Sequence, residues 1–179
     1  MPGILIEEKG KYYIDCKNAQ WETGNIHDLY HSCGLPDILC DADFAIETKE
    51  NTILLIEYKN ANIPEAIAHA SATKPYDPFE QDKSNKLIRK FYDSLHYLRL
   101  SGKEKPVDYI CLLEYPNGDY ISRKRLRNRL KKRLPFKLQE KFNTGIKLIE
   151  SVSVVNIDEW NNHTVYGQFP IKPMDKQET

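Results

Sequence analysis

The chain has 179 residues, and its 26 basic and 26 acidic side chains give a formal net charge of zero. This length suits one compact domain with a hydrophobic core, and zero net charge excludes a global field that would draw the chain to nucleic acid. The sequence shows neither a basic start before an apolar run nor an apolar run of membrane-spanning length, so we expect no signal peptide and no membrane partner. The four cysteines are irregularly spaced, which is typical of reduced thiols in a cytoplasmic protein.

Two hairpins and a short helix are predicted in the first third of the chain. Residues 3–16 contain two β-prone segments that flank a turn at Gly10. A short helix is expected at 26–31. A second hairpin is expected at 39–59, with its turn centred on Glu50.

A long amphipathic helix is predicted next, with Ser84 as its cap and Gly102 at its end. Its apolar residues recur on one face: Leu87, Ile88, Phe91, Leu95 and Leu98. A buried strand is expected at 107–113, a basic helix at 122–134 and a last β region at 146–157.

The order of hairpins, helix, strand, helix and strand indicates the fold class. It predicts an α/β domain of the α+β type, with a central mixed sheet flanked by helices. We expect a single domain over residues 1–170 and a polar C-terminal tail over 171–179.

Three charged residues lie within the apolar β-type runs of the second hairpin: Asp43, Glu57 and Lys59. Charges are costly to bury in such runs, so their presence indicates a site. Strand alternation and the expected turn place Asp43 opposite Glu57, about 5 Å apart at Cβ. Two carboxylates at that distance repel unless a cation lies between them, and hard oxygen ligands suit Mg²⁺ or Mn²⁺.

Asp41 shares the face of Asp43 and is the alternative metal ligand, because a bulge or a one-residue shift of the turn would exchange the two. Lys59 points to the same side, where it would orient or deprotonate a metal-bound water or stabilise negative charge. The alternative without a metal is a solvated acidic edge in which Lys59 pairs with Asp41.

The arrangement of Asp43 and Glu57-Tyr58-Lys59 on consecutive strands resembles the core of the PD-(D/E)XK nucleases, the restriction-endonuclease-like superfamily. Its members share an αβββαβ core, to which the elements expected at 22–157 are similar in layout. The resemblance implies an endonuclease that hydrolyses phosphodiester bonds with Mg²⁺ or Mn²⁺, usually in DNA. It implies Asp43, Glu57 and Lys59 as catalytic residues, with the backbone carbonyl of Tyr58 as a further metal ligand.

An acid-any-lysine tripeptide is not specific by itself, since the chain contains four. The strongest competitor, Asp15-Cys16-Lys17, fails on geometry because the first hairpin places Ile4, not an acid, near Asp15. Many members of the superfamily carry a glutamate on a preceding helix, for which Glu22 is the nearest candidate. Gln81 and Lys83, at the entrance of the long helix, are further auxiliary candidates.

The predicted helix at 122–134 is strongly basic, and its cations are candidates for nucleic-acid binding: Arg123, Lys124, Arg125, Arg127, Arg129, Lys131 and Lys132. Leucines at four-residue spacing form a stripe that docks the helix on the sheet. The remaining circumference would bind a phosphate backbone, with DNA favoured over RNA, or would be a solvated face.

Two alternatives to a nuclease remain open. One is a non-catalytic nucleic-acid-binding module on the same fold. The other is a protein-interaction domain whose acidic and basic surfaces pair with a partner, or with a second copy in a homodimer.

Overall fold

The computed structural model describes residues 3–64, 66–68, 74–116, 118–142 and 144–174. Its strands are β1 (Ile4–Ile6), β2 (Tyr12–Asp15), β3 (Trp21–Thr23), β4 (Phe44–Glu47), β5 (Ile53–Asn60), β6 (Val107–Glu114), β7 (Ile149–Val155) and β8 (Ile171–Pro173). Its main helices are α1 (Ile26–Ser32), α2 (Gln81–Leu100), α3 (Tyr120–Lys131), α4 (Phe136–Phe142) and α5 (Ile157–Asn162). A 3-10 turn at Tyr166–Gln168 precedes β8.

The central sheet has the order β3-β4-β5-β6-β7 and is mixed, as predicted. The pairs β3–β4 and β4–β5 are antiparallel, whereas β5–β6 and β6–β7 are parallel. Helix α2 lies in the connection between the parallel strands β5 and β6. A second, antiparallel sheet has the order β1-β2-β8.

Two hydrophobic clusters cover opposite faces of the central sheet. On one face, α1, α2 and α3 bury side chains against alternate strand residues: Ile26, Tyr30, Leu55, Phe91, Leu98, Tyr109, Leu126 and Leu130. On the other face, α5 and the small sheet contribute a second cluster: Leu5, Ile14, Ile46, Leu54, Ile56, Ile110, Trp160, Phe169 and Ile171. The strand residues of the two clusters alternate in sequence, as expected for a sheet buried on both faces.

The first hairpin has the predicted register, with Ile4 paired to Asp15. Gly10 lies in its turn with φ of 66°, a left-handed conformation that glycine adopts without steric cost.

The second hairpin has the register expected from a turn centred on Glu50, since Phe44 pairs with Ile56. Its first strand begins at Phe44 and not at 39. The reason is that the backbone N–H groups of Cys40 and Ala42 donate to side chains of α2, at 2.8 Å each, and not to a neighbouring strand.

The predicted apolar face of α2 is buried, but Ser84 does not cap the helix. The helix begins at Gln81, and the buried Ser84 hydroxyl donates to the Gln81 carbonyl at 3.1 Å. The helix ends at Leu100, and Gly102 follows with φ of 75°.

The basic helix is shorter than predicted and begins earlier. Asp119 caps it by accepting a hydrogen bond from the Ser122 N–H at 2.7 Å. It ends at Lys131, and a separate helix, α4, follows Pro135, where the sequence predicted no helix.

The boundary of the predicted polar tail is wrong at its first residues. Residues 171–173 form strand β8, in which Ile171 pairs with Ile14 and is 4% exposed. An isoleucine at this position completes the second hydrophobic cluster, which explains why the strand docks. Residues 175–179 of the tail lie outside the described part of the chain.

Candidate active site

The β4–β5 hairpin brings Asp43 and Glu57 to the same face of the central sheet. Phe44 pairs with Ile56, and the same register continued by one residue sets Asp43 opposite Glu57. Leu55, two residues before Glu57, lies in the cluster under α2, so both carboxylates point to the side of the sheet that α2 covers. The sequence predicted this juxtaposition.

A third charged residue, Lys90 of α2, lies between the two carboxylates. Its Nζ is 2.6 Å from Glu57 Oε2 and 3.7 Å from Asp43 Oδ1. The other Asp43 oxygen, Oδ2, accepts a hydrogen bond from the Tyr58 N–H at 2.7 Å. Asp43 is thereby fixed to β5 as well as to the ammonium.

Burial controls the protonation of this cluster. It raises the pKa of Glu57 to about 8, helped by the charge of Asp43 and opposed by Lys90. Burial also raises the pKa of Asp43, against the effects of Lys90 and the Tyr58 N–H. It lowers the pKa of Lys90, but the charges of Glu57 and Asp43 outweigh it and leave that pKa above its ordinary value. Burial thus favours the uncharged acids at Asp43 and Glu57, whereas a neighbouring cation such as Lys90 favours their ionised forms.

Sequence reasoning missed Lys90. A signal was present, because Lys90 lies one helical turn from two buried residues, Leu87 and Ser94. A lysine that flanks the buried face of a helix reaches the sheet beneath it, but the sequence does not say which strand residue it meets.

A cavity of about 810 Å³ opens beside this cluster. Asp43, Tyr58, Lys59, Lys86 and Lys90 line it together with residues 6–9 of the β1–β2 hairpin. Glu57 is 7% exposed and its carboxylate is covered by the Lys90 ammonium.

Lys59 reaches the cavity, but it does not touch the carboxylates. Its side chain is exposed, and its Nζ lies 5.9 Å from the centre of the Tyr76 ring. Among the residues that the structure describes, Lys59 forms no ion pair with Asp43, Glu57 or Asp41.

Asp41 also lines the cavity, and its surroundings distinguish it from Asp43. Asp41 precedes β4, and its Oδ1 lies 3.1 Å from His27 Nδ1. Asp43, and not Asp41, shares the Lys90 ammonium with Glu57.

The three auxiliary candidates lie outside the cavity. Glu22 pairs with Ile46 and so points to the opposite face of the sheet, where its Oε1 accepts a hydrogen bond from the Gly3 N–H at 3.1 Å. Gln81 bonds Asn85 and Arg129, and Lys83 is exposed in the first turn of α2. None of the three lines the cavity in the part of the chain that is described.

Arg123 does not contribute to the predicted nucleic-acid surface on α3. Arg123 is 7% exposed and holds Glu159 through two hydrogen bonds, Nε to Oε2 at 2.8 Å and Nη2 to Oε1 at 2.7 Å. It also donates to the Gly118 carbonyl. Arg123 is therefore a structural anchor, and its guanidinium is not presented to a ligand.

Arg129 is half-buried and ties α3 to the start of α2, donating to the Phe79 carbonyl at 2.7 Å and to Gln81 Oε1 at 2.8 Å. The exposed cations of α3 and the residue that follows it are Lys124, Arg125, Arg127, Lys131 and Lys132. No residue of α3 lines the cavity among those described, so this basic surface and the cavity are separate features of the molecule.

Over the described ranges, no group of three or more His, Cys, Asp and Glu side chains is arranged to hold a metal ion. A cation at this site would have two carboxylates and must complete its coordination with backbone oxygen and water. In the same described part of the chain, no helix combines the length and the apolar character needed to cross a membrane.

Comparison with protein-family models, with curated proteins and with solved structures finds no match for this chain. The residues and their geometry therefore carry any functional conclusion.

Proposed function

We propose that this chain is a nuclease that hydrolyses phosphodiester bonds with Mg²⁺ or Mn²⁺, with DNA as the favoured substrate. The observation that carries the proposal is the convergence of Asp43 and Glu57 on one ammonium at the wall of a cavity. Two carboxylates that share a single cation-sized space provide the hard oxygen ligands that these metals prefer.

The donor set proposed for one divalent cation consists of two carboxylates and a backbone carbonyl. The position of the Lys90 ammonium beside both carboxylates supports this proposal, because it is a positive charge at the same place. In a β-strand, the N–H and C=O of one residue point toward the same neighbouring strand. The Tyr58 N–H donates to Asp43. The Tyr58 carbonyl is therefore directed to the Asp43 side of β5, which supports its role as the third ligand.

The metal, when bound, would supply an acidified water for in-line attack on phosphorus and charge stabilisation in the transition state. Asp43 and Glu57 would hold it. Lys59, exposed on the cavity wall, would orient the attacking water or stabilise the developing negative charge.

The layout of the chain adds partial support for the PD-(D/E)XK resemblance. The acidic hairpin β4–β5 is followed by helix α2 and then by the parallel strand β6. The chain departs from αβββαβ in one respect, because α1 lies between β3 and β4, where the superfamily has three consecutive strands.

The exposed cations of α3 would hold the phosphate backbone outside the cavity. Free thiols at all four cysteines agree with a reducing, cytoplasmic environment.

The test is cleavage of plasmid and single-stranded DNA in Mg²⁺ or Mn²⁺. We expect Asp43→Asn and Lys59→Ala each to lower the rate by about 100-fold or more, the range that positioned acid–base groups contribute. Glu22→Gln is the matched control, since it removes a carboxylate on the opposite face of the same sheet, and it should cleave at the wild-type rate. Equal cleavage by all four proteins, or none by the wild type, would remove the proposal.

A non-catalytic nucleic-acid-binding module is the second candidate. The Lys90 ion pair favours it, because an ammonium that bonds Glu57 and lies near Asp43 offsets part of their negative charge without a metal. This candidate requires DNA binding that is independent of metal and unchanged by Asp43→Asn.

A further inference from the structure

Lys90 occupies the position that a metal ion would need. Its side chain is 13% exposed and contacts both carboxylates, with Glu57 at hydrogen-bonding distance. Mg²⁺ takes carboxylate oxygens at about 2.0 to 2.1 Å and brings two positive charges. An ammonium and such a cation cannot both sit between the same two oxygens, because they need the same ligands and repel each other.

The Lys90 ammonium is held by the two carboxylates. Its Nζ contacts only carboxylate oxygens among the described partners, and its side chain also lines the cavity. The flexible four-carbon stem of a lysine allows the ammonium to swing into this cavity without movement of α2. Lys86, one turn earlier on α2, lines the same cavity but is exposed and forms no ion pair with either carboxylate within the described residues.

We propose that Lys90 is the internal counter-ion of this site: it holds Asp43 and Glu57 together in the metal-free chain, and a divalent cation binds by displacing it. The inference rests on the metal site of the proposed function. Lys90 is thus a positioning residue that weakens metal affinity while it preserves the arrangement of the ligands. A purely structural lysine would have the opposite effect, since its loss would disorder the ligands and weaken binding.

The first measurement is Mn²⁺ affinity by calorimetry for wild type, Lys90→Met and Lys86→Met. The apparent affinity for a ligand is reduced in proportion to the fraction of molecules whose site is open to it. A counter-ion that occupies the site about 90% of the time therefore weakens metal binding about tenfold. Lys90→Met should therefore bind Mn²⁺ about tenfold or more tightly, and Lys86→Met within about twofold of wild type. Binding by folded Lys90→Met that is equal to or weaker than wild type overturns the inference.

The second measurement uses the wild-type chain. It tests the displacement of Lys90 by itself if Lys90→Met does not fold. An amine-reactive ester labels exposed lysines, and peptide mass spectrometry gives the rate at each position. Saturating Mg²⁺ should raise the labelling rate of Lys90 by about threefold or more, with Lys124 on α3 as the internal control. An unchanged rate at Lys90 overturns the inference.

Neither readout depends on cleavage, so the two proposals fail separately. If Mn²⁺ binds through Asp43 and displaces Lys90 but the chain does not cut DNA, this inference stands and the nuclease proposal is rejected. Metal-dependent cutting, with Lys90→Met binding Mn²⁺ no more tightly than wild type, removes this inference alone. If neither wild type nor Lys90→Met binds Mn²⁺, both are overturned.

Discussion

Arg123 and Arg127 lie one turn apart on α3 and have opposite surroundings. The Arg123 guanidinium is buried against Glu159, which itself bonds the Asn156 N–H at the start of α5. Arg127 is exposed. Identical side chains in one basic segment therefore differ in their surroundings: one is buried in an ion pair, and the other is exposed.

This contrast gives a prediction with its own control. Arg123→Ala should lower the free energy of unfolding by about 1.5 to 3 kcal/mol, the range for hydrogen bonds to charged groups, because it removes the two bonds from the buried guanidinium to Glu159. Arg127→Ala should change stability by less than about 0.5 kcal/mol while weakening DNA binding and lowering its salt slope by about one. Urea unfolding and binding at several salt concentrations measure both. Equal stability of the two variants would contradict the anchor role of Arg123.

Local sequence rules predicted that Asp43 and Glu57 face each other, but they did not predict the contact with Lys90. Strand alternation and a short turn fix which carboxylates face each other, and both are properties of neighbouring residues. The contact of Lys90 with Glu57 depends on how α2 crosses the sheet, which is a tertiary property.

Among the elements, the segment between α2 and β6 is attached to the sheet by Glu47 at the end of β4. Its two oxygens bind Lys103 Nζ and Lys105 Nζ, each at 2.7 Å, and Lys103 also lies 4.5 Å from the Trp21 ring centre. Burial pushes the pKa of Glu47 upward, but hydrogen bonds from both lysines outweigh it and leave the pKa below its ordinary value.

A carboxylate with a lowered pKa stabilises the fold above its unfolded pKa, and the contribution is lost as pH falls through the folded pKa. Glu47→Gln should therefore cost about 2 kcal/mol at pH 7, the range for hydrogen bonds to charged groups, and the difference from wild type should shrink below the ordinary pKa of 4.5. Denaturant unfolding of both proteins at several pH values between roughly 3 and 7 would measure this stability difference.

Glu150→Gln is the control, because its pair with Lys147 is exposed and should contribute less than about 1 kcal/mol at any pH. A Glu47→Gln cost that stays constant across the pH range would contradict the ion-pair explanation.

Elements with strong periodicity were predicted from the sequence, and elements decided by side-chain hydrogen bonds were not. The apolar face of α2 and the stripe of α3 are patterns within one helix. Residues 39–43 read as strand, but Asp93 and Ser94 of α2 bind their N–H groups. A three-residue strand such as β3 is too short to give a periodic signal.

At the scale of the whole molecule, both sheets contribute residues to the wall of the cavity. Asp43, Tyr58 and Lys59 come from the central sheet, whereas residues 6–9 of the cavity wall come from the β1–β2 hairpin. Strand β8 joins the small sheet at β2, and its Ile171 lies in the cluster that contains Ile56 and Trp160. The C-terminal strand thus belongs to the same cooperative core as the strands that carry the carboxylates.

Truncation tests this integration. Ending the chain after Pro170 removes β8 and the buried Ile171, and should lower the free energy of unfolding by about 3 kcal/mol, within the cost of emptying a buried isoleucine site. Ending it after Met174 keeps β8 and the Met174 N–H bond to the Lys11 carbonyl, and should match the full chain. Far-ultraviolet circular dichroism follows both sheets. Tryptophan fluorescence, recorded in a Trp21→Phe background because the chain has two tryptophans, follows fully buried Trp160 in the second cluster.

The two signals should report a single transition in each protein, because the central sheet is shared by both clusters. Separate transitions, or a chain ending at Pro170 as stable as the full chain, would show instead that the small sheet folds as an appendage. In that case the cavity wall formed by residues 6–9 would open without loss of the central sheet, and the Asp43–Glu57–Lys90 cluster would have to hold its geometry without it.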